Sequence, residues 1–182
     1  MKEDLNKEIE LPEGVTIQID HAVKIIGPQG EVTKRLTHPR INISHQDSKI
    51  IMKSLNTTKK EKKIFNSFQA HLKNMIQGVI EKHVYKLKIC SGHFPMTVSL
   101  SNNELTIKNF FGENTPRKLT IKPNVEVKVE GTTIIVISTD KEAAGQVAAD
   151  IERLTKIKNR DMRIFQDGCY ITHKAGKDIH HE

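Results

Sequence analysis

The chain has few of the residues that would stabilise a large independent core or support redox chemistry. Its 182 residues include no Trp, 4% aromatic residues and two cysteines, Cys90 and Cys169, and hydrophobic residues make up 36%. Two cysteines without a Cys-x-x-Cys pair indicate neither a disulfide framework nor a zinc ribbon, so we expect buried free thiols. The low apolar content suggests that a partner supplies part of the stability.

Long apolar runs and enzyme motifs are missing as well. Residues 1–10 are charged throughout, unlike a signal peptide, and no later stretch is long enough to span a bilayer, so we expect a cytosolic protein. The chain has no phosphate-binding Gly-rich loop, Gly-x-Ser-x-Gly elbow or His-Glu-x-x-His helix, which predicts no enzyme and no cofactor. His173, His180 and His181 cluster near the C-terminus without supporting residues, so no metal site is predicted.

The charge balance favours a polyanionic partner. Lys and Arg number 29 against 22 Asp and Glu, which gives a formal net charge of +7 and a pI near 9.4. Each cation that neutralises a phosphate releases condensed counterions, so nucleic acid is the simplest partner. On charge alone, a merely solvated basic surface remains the alternative.

A long internal repeat organises the chain. Gly30 and Glu31 match Gly112 and Glu113, and the strands and helix that follow each copy also agree. This period exceeds the roughly 20–50 residues of solenoid repeats, which predicts two tandem domains. Apolar residues alternate in short strands and then recur at helical spacing. We therefore predict an α+β fold in which each repeated domain has a small, mostly antiparallel sheet and one packed amphipathic helix.

The predicted bounds are an N-terminal tail at 1–10, a first domain at 11–84, a second domain at 85–175 and a C-terminal tail at 176–182. Short strands are expected, among others, at 15–19, 34–36 and 49–55, and a strand at 84–89 could belong to either sheet. Capping-box spacing at 58–61 and 139–142 predicts the two helix starts. Asp167 and Gly168 predict a tight hairpin turn.

Three segments of the second half are candidate RNA surfaces. The first is a hairpin loop at 108–118, where Gly112 permits close backbone approach, Asn109 offers an amide and Arg117 offers a planar fork for phosphate. An ordinary turn is the alternative, and at least one of its two Phe rings should be core. The second is the basic run 153–163, and the third is the Lys-rich C-terminal segment. The predicted RNA-binding residues are Lys108, Asn109, Gly112, Arg117, Lys118, Gln146, Arg153, Lys156, Lys158, Arg160, Arg163, Gln166, Lys174 and Lys177.

The order of several short motifs resembles one family across nearly the whole chain. These motifs include Pro-Glu-Gly-Val at 12–15, Gly-Pro-Gln-Gly-Glu at 27–31, His-Phe-Pro at 93–95, Asn-Phe-Phe-Gly-Glu at 109–113 and Phe-Gln-Asp-Gly at 165–168. In that order they are similar to the large-subunit ribosomal protein L-six family, called L-nine in eukaryotes. The motifs at 93–95 and 165–168 are similar to its archaeal and eukaryotic branch.

The resemblance implies two tandem α+β domains and a structural role in the large subunit of the cytoplasmic ribosome. It implies attachment to large-subunit ribosomal RNA near the base of the factor-binding stalk and the sarcin-ricin region, with neighbouring ribosomal proteins as partners and no homo-oligomer. Residues 1–90 carry most of the net positive charge, but the basic run places the main anchor in the second domain. The alternatives are a free-standing RNA-binding or RNA-processing factor and a protein-interaction module.

Overall fold

The computed structural model describes residues 3–46 and 48–179, which fold as two compact units divided between Lys82 and His83. This division falls just before the boundary predicted at residues 84 and 85. The first unit contains β1 (Glu3–Glu10), β2 (Thr16–Ile19), β3 (Val23–Gly27), β4 (Gly30–Lys34), β5 (Asn42–Gln46), β6 (Lys49–Thr57) and α1 (Lys59–Ile80).

The second unit repeats this succession and then adds two strands. Its elements are β7 (His83–Cys90), β8 (Thr97–Ser101), β9 (Glu104–Lys108), β10 (Arg117–Thr120), β11 (Glu126–Glu130), β12 (Thr133–Ser138), α2 (Lys141–Leu154), β13 (Gly168–Lys174) and β14 (Lys177–Asp178). Neither described helix is long and apolar enough to cross a membrane.

The two units have the same strand order. The first unit has sheets ordered β1-β6-β5 and β2-β3-β4, and the second has β7-β12-β11 and β8-β9-β10, with β13 and β14 extending the former beyond β7. A buried serine makes an equivalent hydrogen bond in each unit. Ser54 Oγ donates to the Arg40 carbonyl at 2.8 Å, and Ser138 Oγ donates to the Asn124 carbonyl at 2.8 Å. The predicted tandem α+β fold is confirmed.

The helix of the first unit begins at the predicted capping box. The Glu61 carboxylate accepts a hydrogen bond from the Thr58 backbone N–H at 2.6 Å, which lowers the pKa of Glu61. Phe65, Leu72 and Val79 lie on the buried face of α1 and are fully enclosed. The helix is therefore fixed by its cap and by its apolar stripe.

The N-cap of the second helix lies one residue after the predicted one. The Asp140 side chain accepts from the Glu142 backbone N–H at 2.9 Å, so the N-cap is Asp140 and not the predicted Thr139. The predicted buried stripe is present, because Val147 and Ile151 lie in the core and Leu154 packs against it.

The N-terminal segment is a strand, so the prediction of a tail at 1–10 is wrong for its described residues. β1 pairs antiparallel with β6. Leu5, Lys7 and Ile9 are more enclosed than the residues between them, which shows that one face of the strand is turned inward. Lys7 at one of the inward positions disguised the alternation, because the usual strand signal is carried by apolar and β-branched side chains.

The remaining differences also concern strand pairing. The join at 84–89 belongs to the second unit, where β7 lies between β12 and β13. Gly168 begins β13 and pairs with Cys90, so the hairpin turn predicted at Asp167 and Gly168 is absent. β14 pairs with the end of β13, so the predicted tail at 176–182 forms part of a short hairpin in its described residues. The strand predicted at 34–36 is displaced, since β4 ends at Lys34.

Candidate nucleic-acid interface

The hairpin loop between β9 and β10 is tightly constructed. Phe110 is 2% exposed and anchors the loop in the core, as expected for one of its two rings. Asn109, Phe111 and Gly112 all have left-handed backbone conformations, with φ of 60°, 49° and 75°. The Asn109 amide donates to the Pro95 carbonyl at 2.9 Å, so one of its hydrogens already stabilises the protein. The loop thus presents a fixed backbone at Gly112.

Arg117 is turned into the protein. Its Nη1 donates to the Leu154 carbonyl at 2.5 Å, while Nε and Nη2 donate to the Glu113 carboxylate at 2.8 and 2.6 Å. The guanidinium also lies 4.2 Å from the centroid of the Phe110 ring. The hydrogen bond from Arg117 lowers the pKa of Glu113. The planar fork predicted for phosphate therefore joins the hairpin loop to the end of α2.

The basic run continues beyond α2 as an irregular segment, because the helix ends at Leu154. Two buried residues fasten this segment: Ile157 lies in the core, and Thr155 Oγ1 accepts from the Cys169 backbone N–H at 2.9 Å. Between these anchors and β13, cationic side chains point outward. The exposed basic residues of this segment are Lys156, Lys158, Arg160 and Arg163.

A cluster of rings brings the hairpin loop and the basic segment together. Arg160 lies 5.1 Å from the Phe111 centroid and 5.0 Å from the Phe165 centroid, a cation-π arrangement on both rings. The Phe165 ring is in turn 4.9 Å from the His93 ring. The two predicted RNA segments therefore share one surface of the second unit.

A buried carboxylate organises the edge of this surface. Asp167 is 3% exposed and accepts backbone hydrogen bonds from Gly92 at 2.6 Å, His93 at 3.1 Å and Phe94 at 3.4 Å. Burial alone would raise the pKa of Asp167, but these hydrogen bonds outweigh it and the pKa is lowered. No local pattern of the sequence indicates this role, although the motifs at 93–95 and 165–168 contain both partners.

Several other predicted residues make contacts within the protein. Gln146 donates to the Asp150 carboxylate at 2.8 Å, and the same carboxylate lies 3.7 Å from the Arg153 guanidinium. Lys118 pairs with Glu104 at 3.0 Å. Arg163 pairs with Asp161 at 2.8 Å while its side chain stays 89% exposed. Such exposed pairs are weak, so a phosphate could displace the acidic partner.

The remaining predicted residues fall into two places. Lys108 is the last residue of β9 and Gln166 lies between Phe165 and Asp167, and both residues are exposed. Each is thus close in sequence to a ring of the cluster. Lys174 and Lys177 lie in the β13–β14 hairpin, at the opposite end of β13 from Gly168 and about 20 Å away at the usual rise per residue. The structure therefore does not place these two lysines in the same surface.

No described group of three or more metal-ligating side chains could hold an ion. His173, one of the three clustered histidines, instead has its Nδ1 2.6 Å from the Asp178 carboxylate. His180 and His181 lie outside the described residues.

Comparison with known proteins identifies the family from both repeats. The sequence profile of ribosomal protein L6 matches residues 11–82 and again residues 94–168. The chain belongs to the ribosomal protein L6 family. L6 proteins are structural and not enzymatic, in agreement with the sequence-based prediction.

Three similar L6 proteins, all archaeal, align with nearly the whole chain. Each of the following carries the name large ribosomal subunit protein uL6. The protein of Nanoarchaeum equitans is 42% identical, and the alignment covers 94% of both chains. That of Haloarcula marismortui is 40% identical over 93% of this chain and 96% of its own. That of Methanothrix thermoacetophila is 38% identical over 96% of this chain and 99% of its own.

The two L6 matches leave β1 and β7 outside their ranges, together with all of β13 except Gly168. For these strands the sequence-based prediction of structure or pairing was least accurate. The shared L6 profile thus coincides with the hairpins and helices that local patterns predict.

Proposed function

We propose that this protein is a structural constituent of the large ribosomal subunit in the cytoplasm, where it binds ribosomal RNA mainly through its second unit. The observation that carries the proposal is the near full-length similarity to proteins named large ribosomal subunit protein uL6. The formal net charge of +7 supports it, because ribosomal RNA is the partner that such a surface would neutralise.

The basic segment after α2 is the best-formed RNA surface in the second unit. Lys156 and Lys158 are exposed, and the residues beside them, Thr155 and Ile157, are buried and hold the backbone in place. Cations fixed on a rigid base lose less conformational freedom when they meet phosphate. The deep major groove of A-form RNA discourages base reading by side chains, so phosphate contacts and shape should dominate.

The ring cluster connects the basic segment to the hairpin loop. Arg160 is held over two rings, and Asp167 fixes the turn that carries the third ring, His93. The hairpin loop and the basic segment are therefore joined through these contacts, and RNA that follows the basic segment would next reach Lys108 and Gly112. We place this surface near the base of the factor-binding stalk and the sarcin-ricin region, as the family resemblance implies.

Replacing Lys156 and Lys158 together by Ala tests which unit anchors the RNA. Affinity for the cognate ribosomal RNA fragment should fall, and the slope of log affinity against log salt should flatten by about one for each phosphate that the variant no longer neutralises. The matched control is Lys60→Ala with Lys63→Ala, two exposed lysines on α1. Both pairs remove two charges, so a larger fall in affinity in the control would show that the first unit is the anchor, and an equal fall would contradict a main anchor in the second unit.

Two further measurements test whether the protein belongs to the large ribosomal subunit and where on the ribosomal RNA it lies. Co-sedimentation with large subunits through moderate salt is expected, whereas a soluble pool that turns over RNA would support the RNA-processing alternative. Hydroxyl radicals generated from a reagent at position 158 should cleave ribosomal RNA at the stalk base and sarcin-ricin region. Cleavage confined to other regions would contradict the proposed location while leaving the ribosomal role intact.

A further inference from the structure

The internal repeat shows that one strand position is filled in the second unit and open in the first. β1 and β7 are equivalent, because each pairs with the strand that precedes the helix of its unit. The other edge of β7 is paired along its length with β13. Among the described residues, no strand pairs with the corresponding edge of β1. An open edge exposes a row of backbone donors and acceptors that another strand can use.

The register of the repeat identifies the equivalent positions. Ile9 pairs with Ile50, and Leu87 pairs with Ile134 in the same place of the second unit. Beyond them, the Leu11 N–H donates to the Ser48 carbonyl and the Ile89 N–H donates to the Thr132 carbonyl, each at 2.8 Å. Ile9 therefore corresponds to Leu87, and Leu11 corresponds to Ile89.

In the second unit, apolar side chains of β13 fill the space beside these positions. Ile171 pairs with Leu87, Cys169 pairs with Ile89, and both are buried at 5% and 0% exposure. Side chains of α2 also secure the strand, since the Glu152 carboxylate accepts from the Ile171 N–H at 3.2 Å. β13 is thus held both by the sheet edge and by the helix.

In the first unit, the corresponding space is an apolar groove. A cavity of about 440 Å³ lies between the end of β1 and the last turns of α1. Its apolar lining residues are Ile9, Leu11, Pro12, Ile76 and Ile80. Ile80 is 42% exposed, so it is accessible to a side chain that enters the groove.

The backbone of β1 is oriented to pair outward. Backbone N–H groups point alternately to the two sides of a strand, and that of Leu11 points to β6. The N–H groups of Asn6, Glu8 and Glu10 therefore point to the open edge. The equivalent of Glu8 is Lys86, whose carbonyl accepts from the Thr172 hydroxyl of β13 at 3.2 Å.

Charge distinguishes the occupant of this edge. The outward positions that are Lys86 and Lys88 in β7 are Glu8 and Glu10 in β1. Carboxylates disfavour a phosphate backbone, and antiparallel pairing of two copies of β1 would bring acids close to acids. Glu8 also pairs with Lys49 of β6 at 3.2 Å, but both side chains are about half exposed, so a basic side chain of a partner can compete with Lys49. A basic protein strand therefore meets both the charge and the hydrogen-bonding pattern.

We propose that the open edge of β1 is a strand-addition site for an extended, basic segment of a partner protein. The segment pairs with β1 as β13 pairs with β7, places an aliphatic side chain opposite Ile9 and a small one opposite Leu11, and sets basic side chains beside Glu8 and Glu10. Main-chain hydrogen bonds supply affinity and the groove supplies selectivity. This interaction is independent of the proposed RNA surface.

A defined peptide tests the proposal on the full-length chain. The probe is acetyl-Lys-Ile-Lys-Val-Lys-Ile-Lys-amide, and its comparison is the same peptide with Glu in place of Lys. The basic peptide should bind saturably and slow amide hydrogen exchange at Asn6, Glu8 and Glu10. Equal binding of the acidic peptide, or protection only at other residues, would overturn the proposal.

Two pairs of variants separate strand addition from general charge attraction. Glu8→Pro removes an outward donor and the charge, while Glu8→Ala removes the charge alone, so the Pro variant should bind at least about fivefold more weakly than the Ala variant. If the Pro variant does not fold, Ile80→Lys should weaken binding, whereas Leu55→Lys, at a 71% exposed position outside the groove, should not. Equal affinities within both pairs, or self-association of the chain through β1, would overturn the proposal.

Discussion

Arg117→Ala should destabilise the second unit much more than a change at an equally charged exposed position. Arg117 has a side chain that is only 25% exposed and joins the hairpin loop to the Leu154 carbonyl at the end of α2. Loss of its charged donor to the Leu154 carbonyl costs about 1–2 kcal/mol. Loss of its position over Phe110 costs about 0.5–1 kcal/mol. The Glu113 pair adds about 0.5 kcal/mol at most, because that carboxylate is 41% exposed and screened by solvent.

These terms overlap, so we expect a total loss of about 2 kcal/mol in the free energy of unfolding. For a unit of this size, that loss lowers the melting temperature by roughly 10 °C. Urea unfolding followed by far-ultraviolet circular dichroism measures it, and the transition of the second unit is the one that should shift. Arg117→Lys should recover little, since an ammonium cannot reproduce the planar fork.

Arg163→Ala is the matched control, because Arg163 is 89% exposed and contacts only the nearby Asp161 in the described structure. It should leave the unfolding transition unchanged. If Arg117→Ala is as stable as this control but loses RNA affinity, then Arg117 acts on RNA directly and its assignment as an internal tie is wrong.

Two further changes test buried groups of the second unit. Asp167→Asn should destabilise the unit by about 2 kcal/mol, because the remaining single acceptor oxygen cannot serve the 92–94 turn. Since the pKa of Asp167 is lowered on folding, its contribution to stability is complete above the unfolded value of about 3.9 and is lost as the pH falls through the folded value. Acid unfolding should show this loss of stability in the parent protein and lack it in Asp167→Asn. An acid unfolding profile that Asp167→Asn leaves unchanged would contradict the assignment. Cys169 should resist thiol reagents until the protein unfolds, because burial raises the pKa of its thiol to about 12. The half-buried Cys90 should react first, and mass spectrometry measures the order of labelling. Early labelling of Cys169 would show that the core of the second unit opens locally.

Features that depend on neighbouring residues were predictable from the amino-acid order. The stripe from Val147 to Ile151 and the capping box at Thr58 are local patterns, and the repeated succession of strands and helix established two domains of like topology. The hairpin at 108–118 was also predictable, because alternating apolar residues flank a loop of turn-forming residues, with Leu105 and Ile107 before it and Leu119 and Ile121 after it.

Which distant groups meet depends on the tertiary fold. The charged segment Glu3–Glu10 becomes a strand because β6 offers it a ladder, although its own side chains give little strand preference. Arg117 turns inward because the Leu154 carbonyl and the Phe110 ring lie within its reach, and Asp167 is buried because three backbone donors converge on it. Such contacts join residues far apart in the chain, so no local period of the sequence encodes them.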